Sequence, residues 1–375
     1  MRILVCPDKF KGSLPAHIAA QAMADGLLSA NSGLIIDQAP MADGGDGTVD
    51  AFLAAMGGQK IKQIILGPLG QPTASFFGLL ADGQTGIIEM AAASGLALLA
   101  PSERNPMHTG SYGTGQLIRA ALEAGCKKLI IGIGGSATNE GGMGMLQALG
   151  MAFYDQSGAL IAGGTAADML RVARVDSAGL LPLLAGAEIQ VACDVGNPLC
   201  GPQGASAIFG PQKGADTGMI LLLDAGLSNF ADCLYRDLGR DIASAPGAGA
   251  AGGMGGALLA LGARLMMGSD IVIDAAGLKE RAMAADLILT GEGATDHSTP
   301  FGKVPVAMAA LARENGIRCI CLSGSVLDGY KPVYGLGVDA VFSIINRPMT
   351  LRQAMDNAYE LLRDTAENIA RAMGL

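Results

Sequence analysis

Short apolar runs alternate along this chain with stretches whose apolar positions recur at helical spacing. Arg2-Ile-Leu-Val-Cys6 predicts a strand, and Pro15–Leu28, with Ile18, Ala22 and Leu27 recurring, predicts the helix after it. Residues 34–39 predict a second short strand and Val49–Ala55 a second helix. The same order returns near the other end. Asp286-Leu-Ile-Leu-Thr290, Arg318-Cys-Ile-Cys-Leu322 and Ala340-Val-Phe-Ser-Ile-Ile345 read as strands separated by helical segments, and Leu351–Met373 reads as one closing amphipathic helix.

Short apolar strands alternating with helices imply parallel sheets covered on both faces. Between about residues 72 and 283 the chain is richer in glycine and carries several long loops. The pattern therefore predicts a two-domain α/β protein. A Rossmann-like parallel-sheet domain is built from 1–72 plus 284–375, and a glycine-rich α/β domain, 73–283, is inserted into it. Residues 242–263 are uncharged, but their first half is mostly Ala, Gly and Pro, so they predict a glycine-rich loop entering a short buried helix and not a membrane span.

Composition narrows the picture. Of 375 residues 50% are hydrophobic and 16% charged, which suits a chain with a sizeable core. The formal net charge of −9 offers no basic stretch for nucleic acid, and any anionic substrate must be held by local lysines or amides. The seven cysteines are scattered, several in strand-like runs, and MRILVCPDKF lacks a signal-peptide core, so a reducing cytoplasm is expected.

Five loops combine glycines with chemistry-bearing side chains, each at a strand end or helix start, where open α/β sheets bind ligands. Asp8-Lys-Phe-Lys-Gly-Ser13 brings a carboxylate, two ammonium groups and a capping serine, enough to anchor an anion and a metal or simply to start a helix. Asp43-Gly-Gly-Asp46 resembles a hard-cation loop without the further ligands of an EF-hand.

Ile131-Gly-Ile-Gly-Gly-Ser-Ala-Thr-Asn139 fits the dinucleotide fingerprint, with Asp155 about twenty positions on where a ribose carboxylate would sit. It fits equally a cradle for single phosphates or a carboxylate, because Ser136, Thr138 and Asn139 crowd the turn, and Asp155 reads as well as part of a hairpin turn. Asp194, Asn197, Gln203, Gln212 and Lys213, in two Pro/Gly-rich loops, could line a polar pocket. Finally Thr290-Gly-Glu-Gly293, with Asp296 and Lys303 beyond, offers carboxylates to take a proton or bind Mg²⁺ and a lysine to neutralise a phosphate.

No Walker A loop, G-x-S-x-G elbow or histidine spacing suited to zinc is present. Carboxylates, lysines and amide-rich turns together suit phosphoryl transfer, which needs positioning and charge neutralisation more than covalent groups.

As a set, these loops resemble the bacterial glycerate kinase family, type I. The resemblance is carried by Asp8-Lys-Phe-Lys-Gly-Ser13, Ala42-Asp-Gly-Gly-Asp-Gly-Thr48, Gly113-Thr-Gly-Gln116, Ile133-Gly-Gly-Ser-Ala-Thr-Asn139, Cys193-Asp-Val-Gly-Asn-Pro-Leu199, Phe209-Gly-Pro-Gln-Lys-Gly214 and Thr290-Gly-Glu-Gly293, in the family's order over essentially the whole chain. It implies ATP- and Mg²⁺-dependent phosphorylation of D-glycerate, usually to 2-phosphoglycerate, by two α/β domains facing an active-site cleft.

On that resemblance Asp194, Asp296, Lys11 and Lys303 are the expected catalytic residues. Asp8, Ser13, Gly134, Gly135, Ser136, Thr138, Asn139, Asn197, Lys213, Gly291 and Glu292 would bind substrate or phosphate, and Asp43 and Asp46 would hold the metal through water. One departure stands out: Ala294-Thr-Asp-His-Ser-Thr299 replaces the family's Arg-Ile-Asp-Ser-Gln-Thr, losing an arginine and leaving room for another small hydroxy acid as acceptor. The partners expected are D-glycerate and ATP, without nucleic acid or membrane, and a homodimer is allowed. An NAD(P)-dependent oxidoreductase and a non-catalytic sensor are the competing classes.

Overall fold

The computed structural model describes all 375 residues. By their contacts they form two compact units, Met1–Asp43, Asp50–Gly57 and Met267–Leu375 in the first, Gly44–Val49 and Gly58–Met266 in the second. The divisions fall near 57 and 267, where the sequence reading places them near 72 and 283.

In the first unit the strands run Ala340–Ser343, Arg318–Val326, Leu287–Thr295, Arg2–Pro7, Ile35–Gln38 across one sheet, every neighbour parallel. Alternate residues point to opposite faces, and both are buried. Ile3, Val5, Leu287, Leu289, Ile320 and Leu322 cluster with Met23, Leu27 and Leu362 of the helices Ala16–Ala30 and Ala358–Met373. Leu4, Cys6, Ile288 and Cys321 are as deeply buried but lie outside that cluster, on the face that Val304–Glu314 covers. Strands buried on both faces are apolar without interruption, which is why these runs were legible.

The closing helix differs from expectation. Thr350 and Gln353 form a capping box for Leu351–Asp356, then Asn357 leaves helical geometry (φ −106°, ψ 14°) and donates its side-chain amide to the Gln353 carbonyl before Ala358–Met373 begins. The side chain of Asn competes for backbone partners, so an apolar period alone does not reveal the break.

In the second unit Arg264–Met266, Glu188–Ala192, Lys128–Gly132 and Thr85–Glu89 are parallel neighbours, but Pro72–Leu80 and Gly58–Leu66 extend the sheet antiparallel. The sheet of the inserted α/β unit is therefore mixed, whereas that of the first unit is wholly parallel. The outer strand is guarded by Lys60 and Lys62, and polar edge positions of this kind both discourage aggregation and hide the strand from a hydrophobicity reading. The uncharged 242–263 stretch is a loop entering two short buried helices, Ala250–Gly253 and Met254–Ala260, and no helix is long and apolar enough to cross a membrane.

Gly26 sets how closely the first helix approaches the last. A Cβ there would sit 2.1 Å from the Arg363 carbonyl and 3.0 Å from the Ala366 side chain. Backbone cannot yield as a flexible side chain can. Gly26→Ala should lower the unfolding free energy by about 1–3 kcal/mol, despite alanine's better helix propensity. An unchanged urea midpoint would show that these helices can separate freely.

Candidate active site

The strand Arg2–Pro7 continues through Ala16–Ala30 to its neighbour Ile35–Gln38 on one side, while Leu287–Thr295 continues through Val304–Glu314 to Arg318–Val326 on the other. The connections diverge between Pro7 and Gly291, which pair directly. That is the topological switch point of the sheet, where open α/β proteins leave a crevice at the strands' carboxyl ends.

Four carboxylates and two lysines occupy this end. Asp8 donates its N–H to the Gly291 carbonyl (2.8 Å), and its Oδ1 accepts from the Lys9 N–H (2.7 Å). Burial, reinforced by the nearby Asp43 charge and only partly offset by Lys9, pushes the Asp8 carboxyl up to about 7. The Lys9 ammonium donates to Asp43 Oδ1 at 2.9 Å.

Glu292 is buried, 6% exposed, in the second half of the strand Leu287–Thr295. Its Oε1 accepts from the hydroxyls of Thr299 (2.7 Å) and Thr295 (3.0 Å), and its Oε2 lies 3.8 Å from Lys303 Nζ. Burial raises the Glu292 carboxyl while those hydroxyls and Lys303 pull the other way. Asp296 also lies 3.8 Å from Lys303, and the Ser298 hydroxyl bond, outweighing desolvation, holds it below the usual carboxylate range. The structure thus brings Asp296, Glu292 and Lys303 together as the motif suggested. Lys11 is exposed, and the Ser13 hydroxyl donates to the Met355 carbonyl.

Glycines make this arrangement possible. A Cβ on Gly291 would meet the Leu322 carbonyl oxygen at 2.3 Å, and one on Gly293 would come within 3.0 Å of the Lys11 nitrogen. The role of Gly291 visible here is to accept the Asp8 amide and let neighbouring backbone close in. Lys9, Thr295, Thr299 and Ser323, whose hydroxyl is 2.5 Å from that of Thr295, were not singled out from the sequence as site residues. Lys9 was signalled as one of the two ammonium groups of the Asp8 loop and Thr299 by the motif position it keeps, whereas Thr295 and Ser323 are marked by nothing but proximity in the fold.

The second unit carries the glycine turn. The Gly134 N–H donates to the Gly44 carbonyl and the Ala137 N–H to Ser94, whereas the amides of Gly135 (φ 77°) and Ser136 are engaged by no protein group. Successive free amides around a left-handed glycine form a concavity for an anion. The exposed carboxylate of Asp46 lies beside it, 3.6 Å from where a Gly135 Cβ would be.

Asp194 is exposed and Asn197 donates to the Gln203 carbonyl in their loop. Thr138 and Asn139 are buried below the turn. Lys213, expected to meet substrate or phosphate, is instead 1% exposed, its ammonium donated to the Thr138 carbonyl at 2.6 Å. Asp155 accepts from Ser157 and Ala159 in a tight turn, the hairpin reading and not a ribose carboxylate. Glu140, which the sequence did not mark as a site residue, is fully buried and accepts from the Ser111 and Met143 amides.

No group of three or more His, Cys, Asp or Glu side chains is placed to hold a metal ion by itself. A magnesium site here fits only the open, water-rich kind, completed by phosphate oxygens. The crowding of negative charge around Asp8 is compatible with such a cation.

A parallel sheet whose switch point gathers carboxylates and lysines defines an open α/β protein with a charged ligand edge. Its residues 3–374 match the glycerate kinase family, and the chain belongs to that family. It is 46% identical to a glycerate kinase from Bacillus subtilis, covering 100% of this chain and 98% of that one. It is 45% identical to the glycerate 2-kinase of Escherichia coli K12, with the same coverage. A crystal structure assigned as glycerate kinase 2 from Salmonella typhimurium LT2 superposes with a TM-score of 0.91 at 45% identity, covering 100% of this chain and 98% of that chain.

The Asp8 environment makes a pH signature. Its carboxyl rises from the ordinary 3.8 to about 7, so between those values the folded chain holds a proton that the unfolded chain has released. This group's contribution to stability therefore falls as pH rises from about 4 to about 7. Asp8→Asn should gain on the parent between pH 5 and pH 8 in urea unfolding, and a constant difference would contradict the environment described.

Proposed function

We propose that the protein is an ATP-dependent kinase that phosphorylates D-glycerate on its 2-hydroxyl, giving 2-phosphoglycerate and ADP. The observation that carries this reading is the cluster at the switch point, Asp8, Lys9, Asp43, Glu292, Asp296 and Lys303, in a chain 45% identical along its length to a glycerate 2-kinase.

Phosphoryl transfer needs an in-line nucleophile, neutralisation of developing charge and a proton acceptor. The glycerate hydroxyl oxygen bonds to the γ-phosphorus as the bond from that phosphorus to the β,γ-bridging oxygen breaks, and ADP leaves with that electron pair. Asp8 orients the hydroxyl and takes its proton, because a carboxyl pushed up to about 7 accepts a proton near neutral pH better than an ordinary one. Asp296, held low by its Ser298 bond, is the weaker base and stays charged. With Glu292 it holds Lys303 where the ammonium can neutralise the transferring group. Lys11, exposed on the Asp8 loop, adds positive charge for the phosphates. The free Gly135 and Ser136 amides receive a carboxylate or phosphate oxygen.

Asp43 or Asp46 would hold a magnesium ion through its water shell, and the ion would supply neutralisation of phosphate charge. Asp194 and Asn197 sit on a loop that contributes to substrate binding. Ala294 leaves the site without the family's arginine, so the lysines carry the anion-binding task.

ADP release from Mg-ATP should depend on D-glycerate, and NMR of the product should show phosphate on C2. Asp8→Asn and Lys303→Ala, folded normally, should each lower kcat by about 10²–10³. Wild-type turnover only with another hydroxy acid would reassign the acceptor. Full kcat in both variants would overturn the roles given to this cluster.

A further inference from the structure

Lys213 is the largest charged side chain buried outright in the molecule, and the mechanism above does not use it. It ends the short turn Pro211–Lys213, and its ammonium meets the Thr138 carbonyl at 2.6 Å. The backbone around it cannot drift. At Gly214 (φ 95°) a Cβ would sit 2.2 Å from the Arg104 carbonyl, so the loop is pressed against its neighbour immediately after the lysine.

Two further contacts hold the same segment from below. Asn139 donates to the buried Ser206 hydroxyl at 2.9 Å. The Ala250–Gly253 turn takes Ala251 into left-handed geometry (φ 53°) and brings Gly252 so close that a Cβ would lie 2.0 Å from the Thr138 oxygen. The free Gly135 and Ser136 amides lie just upstream, on the opposite side of the fixed Thr138 peptide in sequence.

Packing alone does not account for a lysine here. Desolvation lowers its ammonium to about 7, with the Glu140 charge opposing this, and both Glu140 oxygens are already bonded to the backbone amides of Ser111 and Met143. A methionine of similar length would fill the space without a buried charge. What the lysine adds is one directional bond to one backbone carbonyl.

We propose that Lys213, together with Ser206, is a positioning residue for the reaction: it fixes the Thr138–Asn139 backbone so that the Gly135 and Ser136 amides stay aimed at the bound anion. This rests on the kinase reading above. Neither residue touches substrate. The effect is felt in ground-state binding of the anion and in kcat/KM, with the phosphoryl-transfer groups left intact.

The test compares wild type, Lys213→Met, Lys213→Gln and Ser206→Ala in the full chain. Lys213→Met should keep or raise the urea midpoint while raising KM for D-glycerate or ATP about 10-fold or more, with a much smaller change in kcat. Lys213→Gln, which retains a donor, should recover part of that loss. Ser206→Ala, which removes little volume, should raise the same KM severalfold. Amide hydrogen exchange over residues 133–141 should quicken in Lys213→Met and Ser206→Ala.

Kinetic constants within twofold of wild type in folded Lys213→Met overturn the proposal. So does unchanged exchange at 133–141. If Lys213→Met does not fold, Lys213→Gln and Ser206→Ala decide it by the same two readouts. Wild-type chain without glycerate-dependent turnover would overturn the kinase reading instead, and hydrogen exchange would then still decide whether these residues hold the turn.

Discussion

Backbone lies against backbone at each of the turns that carry chemistry, and this close approach is the constraint from which the local geometry follows. A methyl group at Gly291 would strike the Leu322 carbonyl, one at Gly324 the Gly293 carbonyl, and one at Gly132 the Gly44 carbonyl, each closer than 2.5 Å. Only glycine satisfies such positions, since even alanine would force the strands or turns apart. The 56 glycines are thus not a sign of loose structure. In the first unit they let the Asp8 loop settle against the end of the Glu292 strand, so that two distant segments deliver their carboxylates to one place.

That crowding has an electrostatic result. Three treatments of a carboxylate coexist within a few residues. Asp296 is stabilised as the anion by a short hydroxyl bond, Glu292 is buried but supported by two threonines, and Asp8 is desolvated beside other acids. Environments that push neighbouring carboxyls apart in proton affinity are how one set of side chains supplies both a fixed charge and a proton acceptor. The second unit separates charge differently. Its turn offers the neutral amide of the exposed Gly135 beside that of the buried Ser136 and keeps Glu140 and Lys213 fully buried, bonded to backbone.

Much of the architecture was legible because the central strands of the first unit are buried on both faces. An apolar run such as Leu287-Ile-Leu289 has no competing interpretation once helices flank it. The edge strand Gly58–Leu66 was not, since its exposed lysines and glutamines break the hydrophobic signal. Motif order located Asp8, Glu292, Asp296 and Lys303, but not the partners that tune them. Thr295 reaches Ser323 only because two parallel strands pair in a particular register, which no local pattern encodes. Lys213 misled for a related reason: lysines in Pro/Gly-rich loops are ordinarily solvated, and its burial depends on distant elements closing over it.

The first unit also has an order of assembly imposed on it. Its opening strand pairs with residues 284 positions later, from Ile3 opposite Leu287 to Pro7 opposite Gly291. At about 5–20 residues per second of synthesis, the ribosome needs roughly fifteen seconds to a minute to supply that partner. Meanwhile the intervening unit, whose strands all lie within Gly58–Met266, emerges complete. Ile3, Leu4 and Val5 therefore have only Ile35–Gln38 to pair with through most of translation, and the other side of their strand is completed last.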